Sequence, residues 1–279
     1  MAYNNTGQGH RTAVADELRF SEWLNNGGHQ FIDFGGDVFE RATNRGGTTT
    51  IEDVVAHLRS GGEVKFSCKL ASGGLDSHSH TYKNTSSVIT RLKRERSSIV
   101  APILQLEEYR DAEVARVPSV EERRRNRDEY ACRMTSACEQ TRNLLSPEII
   151  TAIFAESMAK SLEADWVVLS DMVARQYLWY RPEDHPAIGA IEGGYSVRLA
   201  CRPGSESASV LLVRDGQELS LGLRLRVKHN NGVSDLFRMG TQNNGSFVTT
   251  IQQDPGSVPR IIDIIEANGK LFRAPMRLS

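Results

Sequence analysis

The chain has no run of about 18 consecutive apolar residues, the length that a membrane-spanning helix requires. Its first residues, MAYNNTGQGHRTAVADEL, contain no basic segment leading into an apolar stretch, which removes the signature of a secretory leader. From these two absences a cytoplasmic protein with no membrane partner is expected. The four cysteines, Cys68, Cys132, Cys138 and Cys201, form no CxxC pair and have no histidine at zinc-ligand spacing, so reduced, structural thiols are expected. Also missing are GxxxxGK(S/T), HExxH, GxSxG and GxGxxG, and with them the usual signatures of P-loop nucleotide hydrolysis, zinc proteolysis and serine hydrolysis. Net charge is nearly absent: 34 Lys and Arg against 35 Asp and Glu leave −1. That argues against coating nucleic acid by bulk attraction, but is compatible with a locally basic cleft.

What remains is an ordinary globular composition, 25% charged and 39% hydrophobic over 279 residues, enough for one domain with an insertion or for two small ones. Residues 11–25, RTAVADELRFSEWLN, place Val14, Leu18, Trp23 and Leu24 near helical spacing, and NNGG at 25–28 supplies a stop. TTTIEDVVAHL (48–58), the turn RSGG and the alternating EVKFSCKL (63–70) predict a β-hairpin. From about 86 to 163 the pattern is helical, ending in PEIITAIFAESMAKSLE (147–163), and ADWVVLSD (164–171) follows at strand length. The last third reads as strands, with Asp215-Gly216 between two apolar runs as a hairpin signal. The expected architecture is α+β: a mixed sheet flanked by helices over 1–185, with a helical insertion at about 88–146, and a β-rich region over 186–279. The boundary is placed within 186–208.

Alternation in the hairpin puts Val64, Phe66 and Cys68 on an apolar side and Glu63, Lys65 and Ser67 on the other. Asp53 precedes Glu63 by ten residues, and a short connection would bring the two acids and Lys65 together. Hard oxygen ligands hold a magnesium ion that clamps phosphate oxygens, while a lysine orients water or stabilises developing charge. The arrangement Asp53 … Glu63-Val64-Lys65 resembles the PD-(D/E)XK nuclease superfamily, which includes many restriction endonucleases, with Glu52 where the motif name has proline. It covers residues 11–70 and the helix and strand at 147–171, where that fold also has a helix packed on its sheet followed by a strand. The resemblance implies a restriction-endonuclease-like core, Asp53 and Glu63 as magnesium ligands, and Lys65 at the attacking water or the phosphate. It also implies a further acid from the first helix, Glu17 or Glu22, with DNA as substrate and partner. A homodimer is implied too, because two active sites are needed to cut two strands. The carboxylates of Asp53 and Glu63 are expected within roughly 6 Å of each other, given metal–oxygen bonds of about 2.0–2.6 Å.

Other features are weaker. His78 and His80, with Asp76 nearby, would share a face of an extended chain, but DSHSHTYK reads as a solvated loop. RLKRER (91–96) and EERRRNRDEY (121–130) carry interleaved glutamates and read as solvated helix faces. Arg224, Arg226 and Lys228 alternate with Leu225 and Val227, giving a strand one basic face that ends near Asn230 and Asn231. Such a strand could follow a DNA backbone or reach base edges. The expected function is magnesium-dependent endonucleolytic cleavage of DNA. The alternative is a non-catalytic nucleic-acid-binding or virion-type assembly protein.

Overall fold

A computed structural model of the chain describes residues 8–45, 53–69, 80–82, 94, 101, 108, 120–125, 164–201, 207–229 and 247–277. The chain divides into two compact units, one of Met1–His80, Met158–Gly189 and Gln253–Ser279, the other of Thr81–Ser157 and Ala190–Gln252. The expected α+β class with a mixed sheet is what the described residues form. Of the expected insertion, a helix at Val120–Arg125 lies within the described residues. The helix expected at 147–163 lies outside them.

The first unit is built on a six-stranded sheet. Its strands are β1 (Phe39–Asn44), β2 (Val54–Leu58), β3 (Glu63–Lys69), β5 (Trp166–Asp171), β6 (Gln176–Tyr180) and β11 (Phe272–Pro275), adjacent in that order. β4 and β7 to β10 belong to a second sheet described below. Every neighbouring pair is antiparallel except β3 and β5, which run parallel. β5 is WVVLSD with all six residues buried, the continuous run expected of a strand covered on both faces. β11 is a departure from the expected division. The chain's last described strand returns to pair with β6 instead of remaining with the β-rich stretch that precedes it.

Helix α1 (Gln8–Asn25) lies on one face of this sheet. Phe20, Trp23 and Leu24 are its buried apolar residues. Phe20 meets Phe66 and Tyr177 edge-on, at ring centroid distances of 5.4 and 5.1 Å, and Trp23 lies 5.0 Å from Tyr177 and 6.3 Å from Trp179. Asn25 closes the helix end onto β1: its amide donates to the Ala42 carbonyl at 3.0 Å and accepts from the Ala42 N–H at 2.7 Å. Leu18, expected on the apolar face, is 46% exposed. The buried stripe instead runs Asp16, Glu17, Phe20, Ser21, Trp23 and Leu24, a helical i, i+3, i+4, i+7 series with two acids at its start. The indole Nε1 of Trp23 donates to the Pro275 carbonyl at 3.0 Å, tying the helix to the strand closing the sheet.

The second unit carries a five-stranded sheet in the order β4 (His80–Tyr82), β10 (Phe247–Gln253), β9 (Gln217–His229), β8 (Ser207–Arg214), β7 (Ser196–Cys201). β8 and β9 are joined by the expected Asp215-Gly216 hairpin, with Arg214 paired to Gln217. Both turn residues have positive φ, 51° and 77°, as a two-residue turn of the right twist demands. Val197, Val210, Leu212, Leu221, Leu223 and Ile251 are its buried apolar residues.

Two expectations for stability follow. Gly28 sits under the Trp23 indole so closely that an added Cβ would come within 2.3 Å of the ring. Gly28→Ala therefore has to displace a buried tryptophan, and denaturant unfolding should show a loss of about 1–3 kcal/mol. His185, buried ahead of helix α3 (Pro186–Glu192), accepts the Ala187 N–H on Nδ1 at 3.2 Å. Burial holds its pKa down to about 4 against an opposing hydrogen bond with Gln253. The unfolded chain takes up this proton below its ordinary pKa of about 6.5 and the native state does not. The stability is thus present above that pH and is lost as pH falls towards 4, by about 3 kcal/mol at about 1.4 per unit. Melting curves from pH 7 to 4 should show that loss, and it should shrink in His185→Gln.

Candidate functional site

The register of the hairpin decides which polar residues meet. Val54 pairs with Phe66, Val55 with Lys65, Ala56 with Val64 and His57 with Glu63. Glu63 therefore stands at the turn end of the hairpin, where Arg45 approaches its Oε1 at 2.8 Å and His57 Nδ1 at 3.4 Å. Asp53 stands at the other end. Its N–H donates to the Phe66 carbonyl at 2.9 Å, and its Oδ2 accepts the Cys68 N–H at 2.8 Å and the Ser67 hydroxyl at 3.4 Å. Ser67 lies four residues beyond Glu63 on one strand, about 13 Å at 3.3 Å per residue. Asp53 and Glu63 thus take different partners towards opposite ends of the hairpin. Lys65 is engaged through its backbone: its N–H donates to Asp165 Oδ2 at 2.7 Å and its carbonyl accepts the Asp165 N–H at 2.9 Å.

A different set converges on Asp53. Lys69 Nζ donates to Ser67 Oγ at 2.7 Å, and that hydroxyl in turn faces Asp53 Oδ2. Asp53 is 8% exposed and Ser67 4%, so the carboxylate is held in the protein and oriented by a main-chain N–H. Between Ser67 and Lys69 the Cys68 thiol registers the surrounding charges. Burial pushes its pKa well up, with Asp53, then Glu17, then Asp16 adding to the rise while Lys69 opposes it. Glu17 of α1, 7% exposed, is thus among the charges that act on this thiol from the helix side. Glu22, the other helix acid considered, is exposed. Of the expected residues, Asp53 meets Ser67 and Cys68, Glu63 meets Arg45 and His57, and Lys65 meets Asp165. Sequence reasoning missed Ser67 and Lys69. The signal was available in the turn: centring the hairpin on Ser60 pairs residues whose numbers sum to 120, which sets Asp53 beside Ser67.

The set can hold a charged phosphate group. Asp53 supplies a hard oxygen donor, and Lys69 supplies a cation joined to it through the Ser67 hydroxyl. No group of three or more His, Cys, Asp or Glu suited to a metal occurs among the described residues.

The proposed nucleic-acid strand lies in the second unit. Arg224 is exposed on β9, whose backbone continues through Arg226 and Lys228. The side chains of those two residues, and Asn230 and Asn231 entirely, lie outside the described residues, as do Asp76 and His78. Among the described residues no helix is long and apolar enough to cross a membrane. No family model, curated protein or solved structure matches the chain.

The ion pair of Glu63 with Arg45 has its side chains 34% and 40% exposed, where solvent screens most of the attraction. Glu63→Ala should change unfolding free energy by less than about 1 kcal/mol, measured by urea denaturation.

Proposed function

We propose that this protein is a magnesium-dependent nuclease that hydrolyses DNA phosphodiester bonds, with a restriction-endonuclease-like core formed by α1 and the first sheet. The observation that carries the proposal is the chain of contacts Lys69 Nζ, Ser67 Oγ and Asp53 Oδ2. Ser67-Cys68-Lys69 keeps the spacing of the acid-x-lysine motif, with serine in the acid's place. It lies at the position on β3 that the Asp53 carboxylate reaches. The second carboxylate then comes from the first helix, in the role that the superfamily resemblance gives to an acid there. Two copies acting on opposite strands remain part of the proposal.

Asp53 and Glu17 would hold the magnesium, which when bound supplies Lewis-acid stabilisation of the phosphate and a more acidic water. The chain itself does the rest. The Cys68 N–H and the Ser67 hydroxyl fix the direction of the Asp53 carboxylate, so its orientation is set before substrate arrives. Lys69 carries a positive charge to the place where negative charge grows on the phosphate. In a site partly shielded from water such a charge acts strongly. The packing of α1 on the sheet holds Glu17 buried and excludes bulk solvent from one side.

Lys69→Ala should lower DNA cleavage in magnesium by on the order of 100-fold or more with little change in melting temperature. Asp53→Asn should be as inactive and should also lose magnesium binding in calorimetry. Glu63→Gln and Lys65→Ala should cut within a few-fold of the parent. If those two are dead while Lys69→Ala is active, the site is placed wrongly. A parent protein that binds DNA and never cuts it in magnesium would replace the nuclease with the binding or assembly reading.

A further inference from the structure

Against α1, on the side of Asp16, the first unit contains a cleft of about 710 Å³. Its lining includes Arg19, Arg175 and Arg277, the acids Asp16 and Glu22, and the rings of Trp23 and Tyr177. We propose that this cleft seats the sugar-phosphate backbone of the DNA strand next to the scissile bond, with Arg175 and Arg277 as the groups that grip its phosphates. The inference rests on the nuclease reading for the identity of the strand, and on the cavity for the place.

Three observations carry it. The cleft and the proposed catalytic cluster share one helical turn, since Asp16 lines the cleft and the adjacent Glu17 belongs to the cluster. A strand leaving the cluster therefore finds this cavity beside it. Second, the cations are available. Arg19 is paired with Asp16 at 2.7 Å, whereas among the described residues Arg175 and Arg277 form no ion pair. A guanidinium in that condition offers its donors to an incoming anion, and its planar fork matches phosphate oxygens. Third, the two arginines are held as a pair. The Met276 N–H donates to the Arg175 carbonyl at 2.9 Å, and Arg277 follows directly. Arg175 itself stands at φ 54°, a left-handed conformation in which a non-glycine side chain costs about 1–2 kcal/mol. The volume exceeds what one inorganic phosphate needs and suits a nucleotide unit, with Trp23 and Tyr177 as the wall a sugar or base would lie against.

The strain at Arg175 supplies a clean variant. Arg175→Gly removes the guanidinium and relaxes the backbone, so its melting temperature should equal or exceed the parent's. Binding of a labelled short DNA duplex, and of one of its strands, is measured by fluorescence anisotropy in EDTA, where no metal-dependent cutting occurs. Arg175→Gly and Arg277→Ala should each weaken binding by about tenfold, the worth of one charge-assisted contact. Each should also reduce the slope of log affinity against log salt by about 1, whereas Arg175→Lys should keep most of the slope. Binding and slope unchanged in both variants would overturn the proposal, as would a parent that does not bind DNA. The two readings fail separately. A parent that cuts DNA while both variants bind and cut normally sinks the cleft alone. Binding lost in both variants of a parent that never cuts sinks the nuclease and leaves the cleft as a DNA seat.

Discussion

The first unit depends on how two aromatic side chains of α1 meet the sheet. Phe20 and Trp23 set their rings among Phe66, Tyr177 and Trp179, so residues from β3 and β6 and from the helix form a single contact. Aromatic groups of this size dominate burial energetics, and their edge-to-face contacts limit the helix to few orientations. Once Phe20 and Trp23 face the sheet, helical geometry leaves Asp16 and Glu17 no choice but to face it too, one turn earlier. Two acids are thus carried into a protected position by their neighbours' packing. Such burial is costly for carboxylates unless something nearby stabilises them. That cost is visible at Asp16, where burial raises the carboxyl pKa and the Arg19 guanidinium pulls it back.

A large share of this architecture could be read from residue order. The hairpin was legible because EVKFSCKL alternates around an RSGG turn, and Val64, Phe66 and Cys68 do lie on the side packed against α1. Asp215-Gly216 was legible because few residues accept positive φ twice in succession. The apolar face of α1 was read less well. Scanning for apolar spacing selected Leu18, which is exposed, and passed over Asp16 and Glu17, which are buried. A scan of that kind has no means of recognising an acid that packing forces inwards.

The polar residues of the hairpin were legible in composition but not in pairing. Asp53 meets Ser67 and, through it, Lys69, whereas the string Glu63-Val64-Lys65 was selected by spacing alone. Strand pairing is set by the turn, and a side chain near the turn cannot meet one at the open end of the same hairpin. β6 and β11 gave no comparable signal. β11 reaches β6 from the far end of the chain, with Phe272 opposite Trp179, a contact that local pattern does not encode.

The hydrogen bond from the Trp23 indole to the Pro275 carbonyl joins residues 252 apart in sequence. On the ribosome, where about 5–20 residues are added per second, the donor waits on the order of 10–50 s for its acceptor to be made. During that interval β6 lacks its outer neighbour and the α1 aromatics lack one of their walls. Assembly of this unit is therefore a late event in the life of the nascent chain. Contacts of such long range are slow to form even in the finished polypeptide, so early termination of synthesis would yield a chain whose first helix has nowhere complete to dock.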